Sequence, residues 1–370
     1  MFEKIYVAAA SGTESVVKKE LTRMGYGPGG ADYGLIPVTG GIEDAVKLNM
    51  ALRSATRVYS LIAEGYADNF DALYELVRAV PFEDFLPRDA AVNVDAASHR
   101  SALFALSAIQ RVVKRALCDR MGGTMAESGK TYYLRCVINE NRALLLLDTT
   151  GESLHKRGYR TYVGDAPIRE TLAAAMLLLA GYRGGVLIDP FCGSGTIPIE
   201  AAMIATDTAP GLNRAFAFEN YDVFPSETIK NVRESLIAAV KTDFKPEICG
   251  YDVNPKACEL ANRHLIKAGL GGKVHFQRRD AGELSSRFSA GHIVTNPPYG
   301  IRLGKSGELK SLYGNLGERY ADMRGFTLGV ITAYPFFEKD FGMRADRKRK
   351  LYNSEIESVY YIFNAPNKAR

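Results

Sequence analysis

The chain has 370 residues, 46% hydrophobic and 24% charged, the balance of an ordinary globular protein with room for two or three domains. No apolar run reaches the length of a membrane span, and the start, Met1-Phe2-Glu3-Lys4-Ile5, lacks a signal peptide's basic and long apolar segments. Five scattered cysteines, with no CxxC and no His cluster, suggest neither a disulfide frame nor a zinc site, so no metal is expected and a reducing cytoplasm is the expected compartment.

The formal net charge of +5 is unevenly spread. Residues 1–165 hold 20 Lys+Arg and 20 Asp+Glu, which leaves 27 basic and 22 acidic residues in 166–370. The local clusters are Lys156-Arg157-Gly158-Tyr159-Arg160, Arg278-Arg279, and Arg344 with Arg347-Lys348-Arg349-Lys350. Such a run is about as often a solvated face as a nucleic-acid contact.

In chain order, residues 1–60 read strand, helix, strand, helix. Ile5 to Ala10 is β-rich. Ser11-Gly12-Thr13 opens an amphipathic helix through Met24 that Gly25 ends. Leu35 to Val38 is a short strand, and Ile42 to Tyr59 carries apolar residues at helical spacing. A further strand begins at Leu61 to Ala63. The alternation then repeats over 61–150, with a helix at Phe70–Ala79, a strand at Ala91–Ala96 and a long helix capped by Ser101 that runs to Met121. That helix sets Arg111, Lys114 and Arg115 at i, i+3 and i+4, three cations on one face. Tyr132–Ile138 and Ala143–Leu147 form a hairpin about Asn139-Glu140-Asn141-Arg142. Residues 151–165 are polar, Gly-containing and basic, the composition of a linker.

From 166 on, an Ala/Leu-rich helix begins at Pro167 and covers Ile168–Ala180. Apolar strands then alternate with helices: Val186–Ile188, Ile248–Tyr251, Val274–Gln277, Ile293–Thr295 and Phe326–Ala333. This is the pattern of an α/β domain with a mostly parallel sheet. Lys350–Ala365 reads as a closing hairpin around Asn353-Ser354-Glu355. In such sheets ligands bind beyond the carboxyl ends of the strands.

Four strand ends carry chemistry. Asp189-Pro190-Phe191-Cys192-Gly193-Ser194-Gly195-Thr196 is a glycine-bearing loop that opens a helix at Ile197-Pro198. It lacks the Lys-Ser/Thr ending of a Walker loop and the GxGxxG spacing, and its leading acid suits an ammonium better than a phosphate. Tyr251-Asp252-Val253-Asn254-Pro255 offers a carboxylate for two ribose hydroxyls, with Asn254 and Pro255 starting the next helix. Arg279-Asp280-Ala281 places a carboxylate where an adenine amino group can donate. Each acid taken alone is more often a helix cap or surface charge; one per successive strand is harder to explain that way.

The fourth end is Thr295-Asn296-Pro297-Pro298-Tyr299-Gly300. Two prolines stiffen the loop and remove its donors, while their carbonyls and the Asn296 side chain can accept hydrogen bonds. Tyr299 adds a flat apolar face. Two acceptors and a ring to stack on suit a planar exocyclic amine. A rigid surface turn is the plain alternative for so short a motif. No cysteine stands beside Asn296 to attack a pyrimidine carbon, which favours a nitrogen target.

Taken as a set, these stretches resemble a class I S-adenosylmethionine-dependent methyltransferase over residues 166–365. The chain is similar, nearly throughout, to the 23S rRNA guanine-N2 methyltransferases of the K/L type that carry a THUMP RNA-binding domain. The stretches that carry the likeness are Leu154-His155-Lys156-Arg157-Gly158-Tyr159-Arg160, Ala166-Pro167-Ile168-Arg169-Glu170-Thr171-Leu172-Ala173-Ala174, the run Asp189 to Glu200, and Ala209-Pro210-Gly211-Leu212-Asn213-Arg214. The resemblance implies a seven-stranded methyltransferase domain at 166–370, a linker at 151–165, a THUMP-like domain at 61–150 and a ferredoxin-like α+β segment at 1–60.

It also implies roles. Asp189, Phe191, Cys192, Gly193, Gly195 and Thr196 would cradle the methionine part of S-adenosyl-L-methionine, Asp252 its ribose and Asp280 its adenine, with Asn296 bordering it. Asn296, Pro297, Pro298 and Tyr299 would hold the target base. Arg111, Lys114, Arg115, Lys156, Arg157 and Arg160 would meet RNA, large-subunit rRNA or its precursor particle. The expected activity is methylation of guanine N2 in that RNA. A tRNA guanine-N2, a DNA adenine-N6 or a protein glutamine-N5 methyltransferase would use the same loop. A non-catalytic RNA-binding or ribosome-assembly factor is the reading from a different class.

Overall fold

A computed structural model describes residues 2–160, 168–299 and 306–365. Residues 161–165 of the expected linker, Ala166, Pro167 and Gly300 of the proline motif lie outside them. The chain forms two compact units. One holds the residues up to Ala9, Lys18–Leu154 and Arg214–Leu236; the other holds Ala10–Val17, His155–Asn213 and the residues from Ile237 onward.

The elements of the first half, in order, are β1 (Lys4–Ala9), α1 (Glu14–Arg23), β2 (Leu35–Thr39), α2 (Ile42–Ala51), β3 (Ala55–Tyr66), α3 (Phe70–Arg78), β4 (Ala91–His99), α4 (Leu106–Met121), β5 (Thr131–Asn139) and β6 (Arg142–Asp148). The six strands form one sheet in the order β2-β1-β3-β6-β5-β4, parallel only between β4 and β5. β3 spans the boundary expected at residue 60 and pairs with β1 on one side and β6 on the other. The helix expected over Ile42–Tyr59 stops at Ala51. Thr56, Val58 and Tyr59 favour an extended chain, and pairing of β3 with two neighbours outweighs the helical spacing of its apolar residues. Ser101 does not cap α4, which starts at Leu106 with Ala105 as N-cap; the Ser101 hydroxyl donates to the His99 carbonyl at 2.7 Å and accepts from Asn141 N–H. The hairpin turn between β5 and β6 holds Glu140 and Asn141 at φ 48° and 64°, the left-handed pair that suits a two-residue loop.

Within this unit α4 buries Ile109, Val113, Ala116 and Leu117, a helical stripe against the core. Arg214–Leu236 belongs here too, although it follows the start of the α/β region expected from residue 166 on. Ala217 and Phe218 N–H donate to the Thr150 and Thr149 carbonyls, Tyr221 Oη donates to the Asp148 carbonyl at 2.9 Å, and the Tyr221 ring stacks on Tyr132 at 4.4 Å.

The second unit is built from α5 (Glu170–Leu179), β7 (Leu187–Asp189), α6 (Thr196–Ala205), β8 (Ile248–Asp252), α8 (Pro255–Lys267), β9 (His275–Arg278), β10 (Gly291–Thr295), α9 (Ser306–Ala321), β11 (Phe326–Thr332), α10 (Phe337–Phe341), β12 (Arg347–Asn353) and β13 (Ile356–Phe363). The helix α7 (Ser226–Ala238) comes between α6 and β8 in sequence. Seven strands run β12-β13-β11-β10-β7-β8-β9. The five from β11 to β9 are parallel, and β13 and β12 close the edge as an antiparallel hairpin. Sequence order proceeds from β7 outward to β9 and then returns to β10 on the other side of β7, so the switch point lies between β7 and β10. No helix among the described residues is long and apolar enough to cross a membrane.

Candidate active site

The carboxyl ends of β7 and β10 are tied together. Asp189, the last residue of β7, is 1% exposed, and its Oδ1 accepts from Thr295 Oγ1 at 2.6 Å and from Phe191 N–H at 3.1 Å. Thr295 ends β10 and is itself buried, so the next residue, Asn296, is delivered to the same crevice. Burial pushes the Asp189 carboxyl up to about 7; the Thr295 and Phe191 hydrogen bonds oppose this, and the nearby Asp252 charge adds to it. A cationic ligand would relieve that cost.

The loop after β7 turns on two glycines in the left-handed region, Gly193 at φ 51° and Gly195 at φ 85°. A side chain at Gly195 would also meet Ala261 at 2.8 Å and Phe276 at 2.9 Å, so the loop lies tight against α8 and β9 there. At Gly193 the space is open. Its N–H donates to Asp252 Oδ2 at 3.0 Å, and the other Asp252 oxygen accepts from Asn254 N–H at 2.8 Å. These two bonds fix the carboxylate at the end of β8 and leave each oxygen with further accepting capacity. Asn254 Oδ1 accepts from Lys256 N–H at 3.0 Å, and Pro255 supplies the first turn, so α8 starts as its sequence indicates.

A cavity of about 380 Å³ sits on these ends. Of the residues singled out in the sequence it is lined by Asp189, Phe191, Cys192, Gly193, Thr196 and Asn296. Among the described residues, Ile168, Ser194, Ile197, Asn254, Lys256, Ala257 and Leu260 also line it. Lys256, Ala257 and Leu260 were not anticipated; their signal is position, since they occupy the first turns of the helix that follows Asp252. Gly195, Asp252, Asp280, Pro297, Pro298 and Tyr299 stand outside the lining. Asp280 is exposed, and its Oδ1 accepts from Gly282 N–H at 2.7 Å as the cap of a short 3-10 turn. The hydrogen-bonded Cys258 thiol and burial together hold the Cys192 thiol in its neutral form, a poor state for a nucleophile.

The proline loop is anchored from below. Tyr313 Oη donates to the Pro298 carbonyl at 3.1 Å and shares a hydrogen bond with Thr332 at 2.9 Å. Tyr299 Oη donates to Asn296 Oδ1 at 2.6 Å, an intraloop bond that the motif alone does not disclose. Burial raises the Tyr299 phenol above its ordinary value, with hydrogen bonds from Asn353 and Ser358 opposing. Asn296 Oδ1 keeps a second lone pair for an incoming N–H.

The basic residues divide. Arg111, Lys114 and Arg115 are exposed on α4, with Arg115 3.7 Å from Asp119 and over the Tyr74 ring. Lys156 is exposed. Arg157 corrects the expectation for the linker: it is 2% exposed and meets Glu200 through two bonds of 3.2 Å inside the second unit. A guanidinium so enclosed cannot reach a phosphate. Arg160 is largely committed as well, to the Ile168 carbonyl, the Thr196 hydroxyl and Glu170.

The profile of an "RMKL-like, methyltransferase domain" matches residues 157–362, an "RlmL ferredoxin-like domain" matches 4–59 and a "THUMP domain" matches 67–148. The chain is 32% identical over 367 residues to a Bacillus subtilis (strain 168) protein named "Putative RNA methyltransferase YpsC", covering 97% of this chain and 95% of that one. It is 35% identical to the "Ribosomal RNA large subunit methyltransferase K/L" of Syntrophotalea carbinolica over 96% of this chain, and spans about half the length of that relative (52%). A solved structure of "SMU.472, a putative methyltransferase complexed with SAH" superposes with a TM-score of 0.90 at 33% identity, covering 98% of each chain.

Proposed function

The chain belongs to the RMKL-like methyltransferase family and uses S-adenosylmethionine as cofactor, and we propose that it methylates an exocyclic base amine in RNA, guanine N2 of large-subunit rRNA. The observation that carries this reading is the Asp189–Thr295 bond, which joins the end of β7 to the loop presenting Asn296, so that both loops face one cavity. A THUMP domain and the names of the relatives support RNA as the substrate.

The residues fit the cofactor. Asp189 offers an anionic oxygen beside the open backbone at Gly193, the complement of an ammonium or a sulfonium. Asp252 is held by two N–H groups with lone pairs to spare, the complement of vicinal hydroxyls. Bound there, the cofactor supplies an already activated methyl group. Asn296 Oδ1 and the Pro297 carbonyl accept the two hydrogens of the target amine and favour a pyramidal nitrogen with a localised lone pair. Tyr299 gives its ring to the base. Alignment of donor and acceptor then provides much of the rate, and no covalent enzyme intermediate is required. A base inside structured RNA must be unpaired or flipped to enter.

Mass-spectrometric mapping of methylated nucleosides in rRNA and tRNA, from cells with and without the protein, tests the reading. Loss of N2-methylguanosine from large-subunit rRNA is expected. Unchanged RNA methylation, or loss confined to tRNA or to adenine N6 in DNA, contradicts it.

A further inference from the structure

Tyr299 sits between two asparagines from distant parts of the second unit. Its hydroxyl donates to Asn296 Oδ1 at 2.6 Å, and its oxygen accepts from Asn353 Nδ2 at 3.3 Å. Asn353 is the last residue of β12, 5% exposed, at the turn into β13 where Ser354 takes φ 57°. The register Asn353↔Ile356 holds this turn in place. A phenol has one proton. With Asn353 and the Ser358 hydroxyl both on the donor side of its oxygen, that proton is directed to the remaining neighbour, the Asn296 carbonyl.

We propose that Asn353 is a positioning residue for methyl transfer. It pins the Tyr299 hydroxyl proton on Asn296 Oδ1 and thereby fixes the amide orientation in which that oxygen, not Nδ2, faces the target amine. The assignment rests on the reading of Asn296 as acceptor for that amine. Without the chain of donors, Asn296 can turn its NH2 toward the base, where it would repel the amine hydrogens instead of accepting them. The closing hairpin, which carries no residue of the cofactor loop, so acquires a part in the reaction. The geometry also makes the polarity of the residue matter more than its size. Asparagine donates to Tyr299; an aspartate of the same shape accepts from it and draws the proton away from Asn296. Protonated, that same aspartate donates again.

The test uses the full chain, radiolabelled S-adenosylmethionine and total RNA from cells lacking the protein, read as the single-turnover rate, with cofactor affinity measured by calorimetry. Asn353→Asp is expected to lower the rate about tenfold, the scale of one misplaced hydrogen bond, at unchanged cofactor affinity. The loss should shrink as pH is lowered and the new carboxyl is protonated, relative to the wild-type pH profile. In a Tyr299→Phe background Asn353→Asp should add nothing further, because the hydroxyl it acts through is gone. A purely structural residue would give neither the pH-dependent recovery nor the lost additivity. A wild-type rate in Asn353→Asp, or an equal loss with and without the Tyr299 hydroxyl, overturns the positioning role while the proposed function stands. Wild-type protein that methylates none of the RNA overturns the proposed function, and the positioning role with it.

Discussion

Residues 156–160 and 111–115 are both short stretches rich in cations, and the structure uses them in opposite ways. Along the first, a turning chain with Gly158 at φ 92° sends Arg157 and Tyr159 inward while Lys156 and Gly158 face solvent. Along the second, Arg111, Lys114 and Arg115 share the helix face opposite Ile109, Val113, Ala116 and Leu117 and remain exposed. A count of charges treats the two alike. The local period decides which side chains reach water, and a buried acid such as Glu200 decides what becomes of one that does not.

The largest effect that separates the two is on stability. Arg157→Ala leaves the Glu200 carboxylate, 0% exposed, without its guanidinium, and should cost about 3–5 kcal/mol of unfolding free energy. Replacing Arg157 and Glu200 together by apolar residues of similar volume should cost far less, as denaturant titration can show. A single variant as stable as wild type would mean that the pair is not structural. The α4 face should behave in the reverse manner. Neutralising Arg111, Lys114 and Arg115 to Gln should leave stability within about 0.5 kcal/mol, as for exposed sites. It should reduce the slope of log affinity for RNA against log salt by roughly two to three, nearly one for each phosphate no longer neutralised. An unchanged slope would make that face a solvated surface only.

A smaller effect contrasts the acid at the end of β7 with these bases. Burial raises the Asp189 carboxyl to about 7, so its contribution to the stability of the free protein is complete at acid pH and lost as pH climbs through about 7. A cationic ligand favours the ionised form. Affinity for S-adenosylmethionine should therefore rise with pH up to about 7, by at most about tenfold per pH unit, and level off above it. Asp189→Asn should flatten the profile; a wild-type profile in that variant would remove Asp189 from the binding site.

Much of the second unit is legible in the sequence because β7, β8, β10 and β11 are short apolar runs, and the residues after β7 and β8 must start a helix. Asn254-Pro255 caps and opens α8, and Gly193 and Gly195 adopt the positive φ their loop needs. The proline motif stands at a strand end because prolines cannot continue a ladder. What escaped was long-range. Nothing near Tyr299 announces Asn353, which arrives by the pairing of β12 with β13. Nothing in Arg214–Leu236 announces that its backbone pairs with Thr149 and Thr150. The stop of α2 at Ala51 is hidden because apolar residues of β3 fall by chance at helical spacing.

In the proposed reaction Asn296 receives the target amine next to a separately held methyl donor. Single-turnover methyl transfer to RNA at saturating concentration, measured beside calorimetric binding of S-adenosylmethionine, decides this role in Asn296→Ala. Asp189 and Asp252 are untouched in this variant, so cofactor binding should be retained. The transfer rate should fall on the order of a hundredfold or more, the scale seen when a preorganised hydrogen-bonding partner of the transition state is removed. Full activity in Asn296→Ala would make the loop a structural turn and contradict the account.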